Sequence, residues 1–217
     1  MASIIIHMAV ANELYKKINS KLEINYYDYI LGTIAPDISK TIGLDKKYSH
    51  FSDNSLEIPN IDIFLEKYQK TLNNSFNLGY FIHLYTDKLF YQDYYPLFIQ
   101  DKFITANIRC LNGEEINVSL DDRKKLLYND YTNLNIQLID EYNINLDIFF
   151  NEFIPPKTNI DEIPIDKLNV LIESAGIIIQ NTKKTKEYII NISSVKAFVD
   201  DCVEELYTKL LELNIIE

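Results

Sequence analysis

An all-α, multi-helix fold with one small β-hairpin near residues 104–118 is what this sequence predicts, on three observations. The chain holds 5 Gly and 6 Pro in 217 residues, too few for the many tight turns of a sandwich or barrel. Apolar residues recur at helical rather than alternating spacing through most of its length. A lone Asn-Gly pair, Asn112-Gly113, stands between two short alternating runs. With 47% hydrophobic residues and a formal charge of −11, the chain has the composition of an acidic folded protein rather than a disordered one. We expect one domain over residues 1–217, because no internal repeat and no linker interrupts the pattern.

The elements follow in order. Residues 4–18 place Ile4, His7, Met8, Ala11, Leu14 and Ile18 on one helical face, with Ser3 as N-cap, so His7 points inward. A second helix runs from about Asn25 to Gly32 and should break in "TIAPDISKTIG", because Pro36 disfavours helical geometry at Ala35. Residues 61–70 form a short helix. Residues 73–95 form a longer one carrying Phe76, Tyr80, His83, Leu84, Asp87 and Tyr91 on one face, stopped near Pro96. In "ITANIRCLNGEEINVSL", Ile108 and Cys110 face Ile116 and Val118 across a type I′ turn at Asn112-Gly113. Helical spacing returns over 120–142, pauses at "IPPKTNIDEIP", and closes the chain with stripes through Leu168, Leu171, Ala175 and Ile178 and through Val195, Phe198, Cys202, Leu206, Leu210 and Leu213.

Charge and cysteine usage exclude several functions. The acidic balance argues against nucleic acid, whose phosphates reward clustered Lys and Arg. Cys110 and Cys202 have no CxxC spacing and read as small core residues of a reducing compartment. The opening run "MASIIIHMAVANELYKK" lacks a basic leader and is interrupted by His7, so neither a signal peptide nor a membrane span is expected, and a cytoplasmic location is.

The chemistry concentrates in the 3 histidines. His83 and Asp87 are four residues apart, which puts their Cβ atoms roughly 5–6 Å apart on one helix face, so both reach one cation. Alone, that spacing equally describes a buried histidine bonded to its neighbour. His7 on an inward face and His50 in "YSHFSD" also sit in apolar settings, and neither lies on the charged surface segments. Imidazoles completed by carboxylates suit zinc-like ions, which favours one shared site over separate core contacts. Asp37, directly after Pro36, either caps its own turn or projects as ligand or general base.

His7 in the first helix, "LGTIAPD" ending at Asp37, "SHF" with His50, and "LGYFIHLYTD" with His83 and Asp87 together resemble the zinc-dependent phospholipase C family, related more distantly to P1-type nucleases. The resemblance covers roughly the first 95 residues. It implies an all-α bundle of the phospholipase C/P1 nuclease type with metal between its helices. It further implies that His50, His83 and Asp87 hold one ion, that Asp87 bridges to a second held by His7, and that Asp37 is general base or additional ligand. Zinc is the ion implied, one or two of them, with Mn, Fe or Ni compatible with the same donors.

Two departures accompany it. The secreted relatives use a processed N-terminal amine as a ligand, whereas here only removal of Met1 suggests itself. They also hold a third metal with histidines beyond this helix, and no histidine follows His83. Asp93 and Asp130 are the substitutes considered, Asp130 lying near the apolar face of its helix. The expected function is a metal-dependent hydrolase of a small-molecule or lipid phosphoester, acting through a metal-activated water. The alternative is a non-catalytic, metal-stabilised or metal-sensing interaction domain. An HD-type phosphohydrolase ranks last, since no His-Asp dipeptide occurs.

Overall fold

The computed structural model describes residues 2–52, 58–180 and 184–217; Met1, and with it the question of its removal, lies outside the described residues. Helix α1 (Ile4–Ile18) starts where Ser3 leaves extended backbone and its hydroxyl accepts the Ile6 N–H at 3.2 Å. Asn25 starts α2 (Tyr26–Ile34) in the same way, accepting the Asp28 N–H.

α2 ends ahead of Pro36, as expected, but Ala35 is not pushed out of helical geometry. Ala35 keeps right-handed helical angles, φ −57° and ψ −37°, and a 3-10 turn over Ala35–Asp37 leads directly into α3 (Ile38–Thr41). Proline fits at the start of such a turn, where its missing N–H has no helical partner to lose. The consequence is a tight, fully helical corner rather than a loose loop, and it carries Asp37.

Short α4 (Lys46–Ser49) and α5 (Ile61–Tyr68) precede α6 (Ser75–Leu89), which Asn74 caps. Past Leu89 the helix widens into a π turn, Phe90–Tyr94, and then tightens into a 3-10 turn, Tyr95–Leu97, that contains Pro96. Helices α2 and α6 cross backbone to backbone. A Cβ on Gly79 would stand 2.0 Å from the Tyr29 carbonyl oxygen, and one on Gly32 would stand 2.1 Å from that of Phe76. Only glycine permits this approach.

The β region has strands β1 (Ile99–Asp101), β2 (Thr105–Arg109) and β3 (Glu115–Ser119), antiparallel in that order, with Ile108 opposite both Ile99 and Ile116. β1 is beyond the expected hairpin; three residues are too few to show alternation. The turn also differs. Gly113 has φ +86° but Asn112 is not left-handed, so type I′ is ruled out. The Gly113 N–H instead reaches the Cys110 carbonyl at 2.9 Å and the Cys110 N–H that of Glu114 at 2.8 Å, a three-residue loop with glycine last.

Helix α7 (Leu120–Tyr142) is capped by Ser119 and ends at left-handed Asn143; α8 (Leu168–Gln180) and α9 (Ile192–Glu212) complete the bundle. α1 packs against α2, α6, α7 and α9, which makes it the central helix of this mostly helical fold. Tyr80 and Phe81 join Phe64 and Phe76 in an aromatic core beside α6. Among the described residues no helix is long and apolar enough to cross a membrane.

Candidate metal centre

Four segments deliver five buried side chains to one interior point: His7 from α1, Asp37 from the 3-10 corner, His50 from the end of α4, and His83 and Asp87 from α6. The donor atoms lie close together. His83 Nε2 stands 3.3 Å from His50 Nε2, and Asp87 Oδ2 stands 3.6 Å from His50 Nε2 and 3.8 Å from His83 Nε2. Asp37 Oδ1 is 3.8 Å from His50 Nε2, and Asp87 Oδ1 is 3.3 Å from His7 Nε2. The His7 and His83 rings stack with centroids 3.9 Å apart.

Backbone and hydroxyl partners set the tautomers. His83 Nδ1 lies 2.8 Å from the Thr33 carbonyl, which only accepts, so Nδ1 carries the proton and Nε2 a lone pair. The Ser49 hydroxyl donates to the Lys46 carbonyl at 3.1 Å and therefore accepts from His50 Nδ1 at 3.0 Å, which leaves a lone pair on His50 Nε2 as well. Two lone pairs then face each other across 3.3 Å in a dry interior, an arrangement that is repulsive until a cation lies between them.

The oxygens tell the same story. Asp37 Oδ1, Asp87 Oδ2 and both ring nitrogens of His7 are buried without a hydrogen-bond partner, although His7 Nε2 is near Asp87. Buried polar atoms are rarely left unpaired. Zinc–nitrogen bonds of about 2.0–2.1 Å in a tetrahedron place donor atoms roughly 3.4 Å apart, close to the spacing around His50. The donor set and its spacing thus fit a divalent ion. Two overlapping triads meet the distance requirement, His7–His83–Asp87 and Asp37–His50–His83. With Nδ1 committed to Thr33, His83 has one nitrogen to give, whereas Asp87 turns Oδ1 toward His7 and Oδ2 toward His50.

Electrostatics keep His50, His83 and Asp87 in ligand form. Burial, followed by the charge of Lys46, pulls His50 down to about 3; burial, followed by His7, pulls His83 well below its usual range, so both imidazoles are neutral. Burial works against the charge of Asp87, but His7 and then His83 outweigh it and hold the carboxyl well below the usual range. Burial and the nearby Asp87 push Asp37 up to about 6.

Asp37 does not cap its own turn: no side-chain bond to the α3 backbone forms, and Oδ1 is left for the centre. Its side chain is 8% exposed against 0–1% for His7, His50, His83 and Asp87. That opening leads to a cavity of about 270 Å³ between α1, α3, α7 and α8, lined by Ala2, Asp37, Lys40, Tyr128 and Asn135 among others. The aromatic residues of α6 are not on that wall; Tyr128 and Tyr131 are.

The considered substitutes for further ligands are elsewhere. Asp130 is buried and accepts backbone N–H groups from Tyr188, Ile189 and Ile190 at 2.9, 2.6 and 3.1 Å, pinning the approach to α9. Asp93 is exposed in the π turn after α6. The Ala2 N–H donates to Asp87 Oδ1 at 3.0 Å, bringing the start of α1 to the centre. Sequence reasoning did not reach Thr33 and Ser49 as orienting partners, although Thr33 stands inside "LGTIAPD" and Ser49 directly precedes His50. The Thr33 bond runs through a backbone carbonyl, which leaves no mark on residue type, and the Ser49 hydroxyl bond depends on the turn that ends α4.

A buried imidazole and carboxylate cluster inside a helical bundle defines a candidate metal-ion protein. Residues 6–89 match the family model described as zinc dependent phospholipase C, which contains all five clustered residues and supports the resemblance. The match ends at Leu89, so α7 to α9, and with them the α7 and α8 sides of the cavity, lie beyond it. No curated protein and no solved structure matches the chain. The match spans well under half of the 217 residues and shows similarity to that family over the segment that holds the cluster.

Proposed function

We propose that the chain is a phosphoester hydrolase that works with one or two divalent ions, zinc by family likeness, at the His7, Asp37, His50, His83 and Asp87 cluster. The observation that carries this is the pair of Nε2 lone pairs facing across 3.3 Å, with unpartnered carboxylate oxygens beside them. His50, His83 and Asp87 Oδ2 would hold the first ion, with Asp37 Oδ1 adjoining, and His7 with Asp87 Oδ1 a second. A bound divalent ion supplies positive charge to neutralise a phosphoester and to acidify a water molecule.

The chain's own residues do the rest. Thr33 and Ser49 fix the rings of His83 and His50, so their donor atoms need no reorganisation. Asp37 is the member of the cluster that reaches the cavity, which places its carboxylate to accept a proton from water entering there. The apolar interior behind it excludes bulk water.

The experiment is elemental analysis after mild purification, joined to a panel of chromogenic phosphomonoesters and phosphodiesters. The expected result is stoichiometric metal and turnover of at least one ester, with Asp37→Asn losing about 10²–10⁴-fold while the histidines retain metal. Protein without stoichiometric metal overturns the proposal. Metal-replete protein that turns over no ester instead supports the non-catalytic, metal-stabilised domain.

A further inference from the structure

We infer that Lys40, braced by Tyr128, is the phosphate-binding cation of the cavity, and that the site takes a phosphoester bearing a single small apolar group. The inference rests on the hydrolase reading above and names its substrate more narrowly. Lys40 lies one helical turn beyond Asp37 on α3 and is the basic residue among those that line the cavity. Its ammonium group hydrogen-bonds the Tyr128 hydroxyl, across the cavity from α3 to α7.

That contact orients the ammonium without neutralising it. A neutral tyrosine hydroxyl attracts a cation yet leaves its charge available, and among the described residues no carboxylate forms an ion pair with Lys40. A compact ammonium with three donors is well suited to a tetrahedral oxyanion. Lys40 and Asp37 line the same cavity, three residues apart at the start of α3. An anionic oxygen held by Lys40 would therefore set a phosphorus atom on the Asp37 side of the cavity, between the ammonium and the metal ligands.

The remaining wall specifies the organic group. Ile4, Ile5, Leu171, Ala175, Ile178 and Ile179 give it an apolar floor from α1 and α8. At about 270 Å³ the cavity falls just under the roughly 300–1,000 Å³ of drug-sized ligand sites. One short alkyl or aryl substituent fits that space better than a two-chain lipid or a charged nucleotide.

The test is calorimetric binding of phenylphosphonate and methylphosphonate, neither of which presents an ester to hydrolyse, to the zinc-loaded protein. Lys40 is exposed, so its variants should fold, and their zinc content is measured alongside. Wild type is expected to bind phenylphosphonate at least threefold tighter than methylphosphonate. Lys40→Gln is expected to weaken both about ten- to hundredfold at unchanged zinc, and Lys40→Arg to restore binding to within about threefold. Equal binding by wild type and Lys40→Gln, absence of phosphonate binding, or failure of Arg to rescue overturns the assignment of Lys40. Equal affinity for the two phosphonates overturns the apolar specificity. The hydrolase reading fails separately, if zinc-loaded wild type binds phenylphosphonate through Lys40 yet turns over no chromogenic ester.

Discussion

Asp87 and Asp130 are both completely buried, yet their surroundings could hardly differ more. Asp130 spends its oxygens on three backbone N–H groups and the Asn129 amide, and so holds the segment before α9 in place. Asp87 accepts one backbone N–H on Oδ1 and leaves Oδ2 bare beside two imidazole nitrogens. A carboxylate whose lone pairs are filled by its own fold is structural. A carboxylate left open among other open donors is a candidate ligand for a cation. Residue type and burial alone do not separate the two; the count of satisfied atoms does.

That contrast can be broken at several points. The largest effect is expected from Gly79→Ala. The added carbon would meet the Tyr29 carbonyl at 2.0 Å, so α2 and α6 must separate and the Thr33 bond to His83 must go with them. A loss of more than about 4 kcal/mol is expected in chemical denaturation, with soluble folded protein falling sharply. Near-native stability would show that the backbone crossing is not what sets the centre.

Metal removal comes next. Chelation should lower the melting temperature, by the equivalent of about 4 kcal/mol where free metal had stood at a thousand times Kd. Asp87→Asn should abolish stoichiometric metal and with it that chelation-sensitive increment. In metal-free protein Asp37→Asn should cost nothing or stabilise slightly, because it removes a charge that burial and Asp87 both oppose. A metal-free Asp37→Asn protein markedly less stable than metal-free wild type would place Asp37 with Asp130 as a structural carboxylate.

Asp130→Asn should cost about 1–3 kcal/mol, since an amide nitrogen replaces an acceptor opposite backbone donors. Urea melts with and without metal should show the same loss, because the Asp130 bonds among the described residues stay within α7 or join it to the segment before α9. The smallest effect is expected from Asp93→Asn on the exposed π turn, within about 0.5 kcal/mol and with metal content unchanged. A drop in bound metal there would return Asp93 to the list of ligands.

The sequence was most informative where a local rule sufficed. Ser3 as the cap of α1, the inward stripe that carries His7, and the His83–Asp87 spacing follow from helical periodicity, a property of neighbours in the chain. The family motifs added the expectation that His50 and Asp37 belong with them, and the fold brings these residues together. Local rules ended α2 before Pro36 but missed that Ala35 stays helical in a 3-10 corner, and they failed at Asn112-Gly113, where a longer loop replaced the expected turn.

By itself, then, the sequence determined a helical protein with a small hairpin and named the imidazoles and carboxylates capable of meeting. Tertiary structure alone decided the rest. It showed that Gly32 and Gly79 let two helices touch, that Thr33 and Ser49 point lone pairs inward, that Asp130 is already satisfied, and that Lys40 and Tyr128 face the cavity. The physical reason is range. Helical spacing is written every three or four residues, whereas an open donor or a spare positive charge is defined by groups many residues away, and only packing brings those together.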